Sequence, residues 1–395
     1  MGGAGGCGQE MSGAMAGEFG IVYPLWAEPQ GWGDLLERAI GEVGCEHITV
    51  PVVTGPMVQL RLAAPEGPRL FHTEGGWHFA PAVERYRRGA LRPRVARWLG
   101  KRNVLGRLSE YVAGRNVALI LRVDVRAAAG LVEEGGGLLA RNAWGDEEPS
   151  VGACVLNAEL RELLYSTLDD LARFQPAGFQ LVDWAPDIPA QRCPTRPLGW
   201  LPAARELLDL CFCPACRQCA TLAGIDPDQA ARSAAVHFAA VVAGPLDPQT
   251  GARCRADPVL AGYRRARQAA SAEWLGRLAA TRPGARHYLL TSADAERQSA
   301  AMSVPPTVLP VLRTDPVPGA AGEEDLIPAV RAAGGKCGLE LPVWRPVFDQ
   351  ADRLVRAVRQ SVAAGVTFFD FAGLDEAPVE AITWARQAVR FARRG

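Results

Sequence analysis

Eight short runs of apolar residues govern what this chain can fold into. They read as buried strands over Gly20–Trp26, His47–Val53, Val117–Val125, Gly178–Trp184, Arg286–Thr291, Thr307–Leu312, Lys336–Val343 and Gly365–Phe371. Each is close to continuous in apolar side chains, the pattern of a strand covered on both faces as in a parallel sheet. Longer amphipathic segments separate them. Trp32–Val43 sets Leu35, Leu36, Ala39, Ile40 and Val43 on one helical face, and Asn157–Arg173 does so with Leu160, Leu163, Leu164, Leu168 and Leu171 behind an Asn157 N-cap. Further helices are expected over Val95–Ala113 and Val379–Arg393. Eight β-α units point to an α/β fold of the (β/α)8 TIM-barrel kind. A doubly wound nucleotide-binding sheet is disfavoured. Its first strand would lead into G-x-G-x-x-G, whereas this one leads into Trp26-Ala27-Glu28-Pro29-Gln30-Gly31.

The units differ in length. Residues 54–94 are a long irregular passage rich in Pro, Gly, His and aromatics, and 190–280 form a long helical excursion after strand 4, broken near 244–251. Residues 1–18 are rich in Gly and lack the charged start and apolar core of a signal peptide, so they read as a disordered leader before a barrel domain over 19–395. No run approaches the ~18 consecutive apolar residues of a membrane helix. The 43 basic and 43 acidic side chains cancel, which argues against nucleic acid or an anionic membrane as the main partner. A cytoplasmic protein with reduced cysteines is expected, with self-association left open.

Four of the ten cysteines fall within nine residues, Cys211, Cys213, Cys216 and Cys219, spaced C-x-C-x-x-C-x-x-C. Without secretory features, thiols this close fit a shared metal better than disulfides. Tetrahedral zinc takes four soft ligands at about 2.3 Å, and the C-x-C-x-x-C part supplies three. The competing reading is a set of buried free thiols. The paired-knuckle spacing of a nucleic-acid zinc ribbon is missing.

Barrel chemistry sits at the carboxyl ends of the strands. Those ends carry Trp26 and Glu28, then Thr54, then Arg122 and Asp124, then Asp183 and Trp184 with Asp187 close behind. The later strands bring Ser292 and Asp294, Arg313 and Asp315, Glu340 and Trp344, and Asp370. Asp183 and Glu340 stand out because each is embedded in an apolar strand, where an ionised carboxylate is costly without a partner or a purpose. Asp294, Asp315 and Asp375 read as helix N-caps. Arg122 has two readings, a structural partner for a neighbouring carboxylate or a substrate contact. The five histidines show no metal-ligand spacing, and Gly-x-Ser-x-Gly is absent.

Two cysteine elements and the last β-α unit then take on meaning together. These are Ala153-Cys154-Val155-Leu156-Asn157 before a helix, Cys211-Phe212-Cys213-Pro214-Ala215-Cys216 after strand 4, and the closing GVTFFDFAGLDEAPVEAITWARQAVR. In that setting the chain resembles barrel glycoside hydrolases of the β-galactosidase type, family 42, and related uncharacterised glycosidase-like barrels. The resemblance implies a structural zinc on Cys154, Cys211, Cys213 and Cys216, with Cys219 and Cys193 as reserve ligands. It implies Glu340 as nucleophile and Asp183, or Asp187, as general acid/base. Where the family carries Asn-Glu after strand 4, this chain carries Val182-Asp183-Trp184. Trp26, Trp184 and Trp344 would be sugar platforms, and Arg122, Asp124, Asp187 and Asp370 would line the carbohydrate site. The expected function is hydrolysis of a carbohydrate by two carboxylates. The alternative is a zinc-stapled barrel that binds a carbohydrate or a partner without catalysis.

Overall fold

The structure is a computed structural model that describes residues 17–27, 34–62, 69–87, 89, 91–130, 139–147, 153–182, 184, 207–243, 248–292, 304–313, 328, 330–331, 336–343, 347–348, 350–378 and 380–394. Eleven strands lie among them: β1 (Glu18–Val22), β2 (His47–Thr54), β3 (Met57–Arg61), β4 (Arg69–Thr73), β5 (Gly76–Trp77), β6 (Ala118–Asp124), β7 (Gly178–Val182), β8 (Arg286–Ser292), β9 (Val308–Arg313), β10 (Gly338–Pro342) and β11 (Phe368–Ala372). Eight of them pair in parallel in the order β1-β11-β10-β9-β8-β7-β6-β2, and β2 returns to β1. The sheet is therefore closed, a TIM barrel, and each expected strand is one of its staves. Closure removes the exposed strand edges that an open sheet would have to protect.

Side chains alternate across each strand, so the barrel has two apolar layers. Phe19, Ile21, Val50, Leu121, Phe179, Leu339 and Phe371 face outward into the layer shared with the helices. Ile120, Val182, Tyr288, Leu290, Val311 and Phe368 form a small plug of their own. The inward set also includes His47, Thr49, Arg122, Gln180, Glu340 and Asp370, all buried. Gly20 is needed on β1, because a Cβ there would lie 2.2 Å from the His47 ring. The space it leaves lets that ring stack on Phe368, with centroids 4.4 Å apart.

The helices follow the chain as α1 (Asp34–Arg38), α2 (Val104–Ala113), α3 (Val125–Gly130), α4 (Ala158–Leu171), α5 (Pro214–Leu222), α6 (Pro227–Ala243), α7 (Pro248–Ala256), α8 (Pro258–Ala280), α9 (Ala351–Ala363) and α10 (Ala381–Arg393). Among the described residues between β7 and β8, α5, α6, α7 and α8 each begin on proline, whose fixed φ and missing N–H suit the first helical position. Asn157 caps α4, accepting from the Glu159 and Leu160 amides. Two expectations need correcting. Val95–Ala113 is not one helix: a 3-10 turn at Arg97–Leu99 ends at Gly100, and Asn103 starts α2 afresh by accepting from the Gly106 amide at 3.1 Å. The passage 54–94 is not wholly irregular, since it holds the β3–β4 hairpin and β5, which pairs antiparallel with β2. No described helix is long and apolar enough to cross a membrane. The expected leader lies, up to residue 16, outside the described residues.

Candidate functional site

The inward-facing polar residues form a line of alternating charge through the barrel. Arg286 donates to Glu18 at 2.5 Å, and Glu18 faces Nδ1 of His47 at 3.4 Å as an ion pair rather than a formed hydrogen bond. His47 Nε2 donates to Asp370 at 3.0 Å. Asp370 also accepts from the Thr49 hydroxyl at 2.9 and 3.0 Å and from the Gln180 amide at 3.4 Å, and it lies 3.7 Å from Arg122. Arg122 donates from Nε to Gln180 and from Nη2 to Glu340. An isolated buried charge is very costly, whereas here each charge has an opposite one beside it. Burial opposes the ionisation of Glu18, but His47 and Arg286 outweigh it and hold the carboxyl down at about 2. Burial likewise opposes a charge on His47, yet Asp370 and Glu18 raise its pKa above the ordinary histidine value.

Three of the expected site residues thus meet: Arg122 from β6, Glu340 from β10 and Asp370 from β11. Asp370 is fully enclosed and serves as an anchor within the line. Asp124 closes the end of β6 by accepting from the Ala127 amide at 2.8 Å, which starts α3. Trp26 and Trp184 are both covered. Phe71 stacks on Trp26 with centroids 5.5 Å apart and planes 6° from parallel. Trp184 stacks on Trp274 of α8 at 4.3 Å and donates to Ser271 at 2.9 Å. Asp183, Asp187 and Trp344 lie outside the described residues, as do Glu28, Asp294, Asp315 and Cys193.

Asp375 is not a helix N-cap. Glu380 holds that position before α10, and Asp375 is buried under the β3–β4 hairpin. The Gln59 amide nitrogen donates to Asp375 at 2.9 Å and to Glu376 at 2.6 Å, while its oxygen accepts from the Trp26 indole at 2.5 Å. Burial, with Glu376 beside it, pushes Asp375 up to about 7 against the opposing pull of Arg61 and the Gln59 amide from the hairpin. The sequence marked Asp375 only as a helix N-cap and singled out no role for Glu376, since nothing local shows that a hairpin 316 residues earlier covers them.

Next to this group His78 is buried and neutral. Its Nδ1 accepts from the Trp98 indole at 2.8 Å, so Nε2 carries the proton and donates to Thr54 Oγ1 at 2.7 Å. Burial pushes its pKa down to about 3, whereas an unfolded histidine titrates near 6.5. Acid therefore favours the unfolded chain. The stability that His78 contributes above about pH 6.5 is lost as pH falls toward 3, by up to about 1.4 kcal/mol per pH unit. His47 acts oppositely, contributing below about 6.5 and losing that contribution as pH rises through its raised folded value. In urea unfolding at pH 4, 5 and 6, His78→Gln is expected to flatten the loss of stability, because an amide can keep both hydrogen bonds without titrating. An unchanged slope would rule His78 out as its source.

The second constellation is the cysteine cluster. The sulfurs of Cys154, Cys211, Cys213 and Cys216 all lie within 4.8 Å of one another, with Cys154 and Cys216 at 3.5 Å, and all four residues are buried. Ligands about 2.3 Å from a tetrahedral ion sit about 3.8 Å apart, so the cluster has the right size to hold a metal ion. Cys154 precedes α4, Cys213 is the N-cap of α5 and Cys216 lies in its first turn. The α8 helix closes the site: Tyr263 donates to the Cys211 carbonyl at 2.7 Å, and fully buried Arg267 donates to the Cys216 sulfur at 3.3 Å. Cys219 is elsewhere, donating to the Ala266 carbonyl. Hydrogen bonds from Cys154, then Cys213 and Cys216, hold the Cys211 thiol well below its ordinary range. The Cys154 thiol is pushed well above its own, by contacts with Cys211, Cys213 and Cys216 and by burial.

No family model matches this chain, and no curated protein does. Among solved structures it is similar to the β-galactosidase of the psychrophilic Marinomonas ef1, with a TM-score of 0.50 and 12% identity over 94% of this chain and 59% of that one. It is also similar to the β-N-acetylhexosaminidase of Bacteroides fragilis NCTC 9343, with a TM-score of 0.47 and 10% identity over 94% of this chain and 66% of that one. The chain thus spans less than two thirds of each. At such identities the likeness is one of fold, the barrel.

Proposed function

We propose that this barrel is a carbohydrate-active hydrolase that cleaves O-glycosyl bonds with two carboxylates, Glu340 as nucleophile and Asp183 as general acid/base. The observation that carries the reading is the buried Arg122–Glu340 contact, braced by Gln180 and Asp370 on the neighbouring strands. Arg122 engages one oxygen of Glu340 and orients the group, and attack on the anomeric carbon would use the other oxygen. Asp183 would protonate the departing oxygen as a glycosyl ester forms on Glu340. It would then take a proton from the water that cleaves that ester, which restores both carboxyls. A retaining reaction of this kind needs the two groups about 5–5.5 Å apart.

The donor set supports zinc as the ion of the Cys154–Cys211–Cys213–Cys216 cluster, since four soft thiolates in tetrahedral reach suit it. Four protein ligands leave no open position, so the ion would act as a staple between the start of α4 and the segment around α5. Four thiolates around a dication carry two negative charges, which Arg267 partly offsets. A reducing, cytoplasmic setting would keep the Cys154, Cys211, Cys213 and Cys216 thiols available to such an ion.

The test is a panel of nitrophenyl glycosides against the wild type and Glu340→Gln. The expected result is turnover by the wild type on at least one member and a loss of about 10³-fold or more in kcat in the variant. The second reading, a binding barrel without catalysis, is favoured by the 3% exposure of Glu340. It predicts sugar binding with no wild-type turnover for the variant to abolish.

A further inference from the structure

An antiparallel ribbon laid on a protein ordinarily turns its apolar side inward. The β3–β4 hairpin does the reverse. Val58, Leu60 and Leu70 face out at 63, 44 and 72% exposure, while the cross-strand pair Gln59 and Phe71 faces the protein. What that pair meets lies beyond the carboxyl ends of β1 and β11. Phe71 covers the face of Trp26 in parallel, and Gln59 joins the Trp26 indole to Asp375 and Glu376. A flat aromatic face bordered by a carboxamide and two carboxyls suits a hydroxylated ring: the indole takes its C–H side, and the polar groups take its hydroxyls.

We propose that Trp26, Gln59, Asp375 and Glu376 form a binding subsite for a hydroxylated ring, with the β3–β4 hairpin as its movable wall and Phe71 holding the place of the ring. The proposal rests on the carbohydrate reading above and adds to it the residues that the β3–β4 hairpin covers. Entry of the ring requires Phe71 to leave the Trp26 face and the Leu62 amide to release the Asp375 carbonyl, while Gln59 stays as the polar edge between the indole and the two carboxyls. The hairpin returns to the barrel through Gly75 and Gly76, both at positive φ, where the backbone turns sharply into β5. Burial raises Asp375 to about 7, so near neutrality it can offer a ring both a donor and an acceptor. Arg61 and Glu376 are the charged groups that face it.

Calorimetric titration of the full chain with methyl β-D-galactopyranoside and with N-acetylglucosamine, in a Glu340→Gln background, tests the subsite. Phe71→Ala removes the competitor and is expected to tighten binding about tenfold, the scale of one aromatic stack. Gln59→Leu removes the bridging amide and is expected to weaken it by a similar factor. Both side chains are only half-buried, so either variant suffices if the other fails to fold. Sugar binding that neither variant changes by more than twofold overturns the subsite and leaves the hydrolase reading standing. Absence of binding in every variant, together with no wild-type turnover on the nitrophenyl panel, overturns both.

Discussion

Exchanging Cys216 for serine is expected to abolish metal binding at the proposed four-cysteine site and to lower the melting temperature by about 5 °C or more. A serine hydroxyl does not ionise near neutrality and is a poor substitute for a thiolate, so one of four ligands is lost. The loss reaches beyond the ion. The cluster gathers Cys154 ahead of α4, the Cys211–Cys216 segment and, through Tyr263 and Arg267, the long α8 helix. Without the thiolates, Arg267 is left in the core with less negative charge around it, which adds a desolvation cost. Metal binding of this type is folding free energy, and its loss is worth several kcal/mol. For a chain of 395 residues the unfolding entropy is about 0.8 kcal/mol/K, so 5 kcal/mol corresponds to about 6 °C. Metal analysis with scanning calorimetry reads both effects. Cys219→Ser, whose sulfur bonds the Ala266 carbonyl instead, is expected to leave the metal content unchanged. Equal metal in the Cys216 variant and the wild type would remove the cluster as the binding site.

Arg122→Met is expected to cost about 3–5 kcal/mol at neutral pH, the usual penalty for stranding buried charge. Methionine fills much of the volume, so packing changes little. The electrostatics change greatly, because Glu340 and Asp370 lose the cation that lies between them. Adding Glu340→Met removes one stranded charge and should restore a good part of the loss, giving a favourable coupling between the two sites. Urea unfolding of the wild type, the two single variants and the double variant completes the cycle. A loss below 1 kcal/mol for Arg122→Met would mean that water reaches these groups and that the line of charge is not a buried one.

The two constellations differ in how far they were readable beforehand. The cysteine cluster was legible because three of its ligands sit within six residues, where spacing alone brings sulfurs together. The fourth came from the resemblance to other barrels, and the geometry places Cys154 there and Cys219 away from it. Glu340 was legible as an ionisable group in an apolar strand, and its partner was not. Of the two readings of Arg122, the carboxylate partner is the one the structure displays, and nothing local to 118–124 names Glu340 as that carboxylate. The β3–β4 hairpin was lost among the prolines and glycines of 54–94, although Met57–Arg61 alternates as a strand should. Its alternation carries the apolar side outward, so the pattern gave no clue to which face meets the protein.

By itself the sequence determined the eight strands, their order and three of the four clustered thiols, because these are written in short-range features: runs of apolar side chains, caps, prolines and ligand spacing. Only the tertiary structure decided which interior groups meet. Glu340 and Arg122 are 218 residues apart, and His47 and Asp370 are 323 apart. They come together because closing the sheet turns the inner faces of separate staves toward one another, and the register of that closure is a property of all eight strands at once. The same holds at the mouth, where Phe71 covers Trp26 and Gln59 covers Asp375. Whether an aromatic ring is a platform or a packed side chain depends on what another part of the chain lays over it.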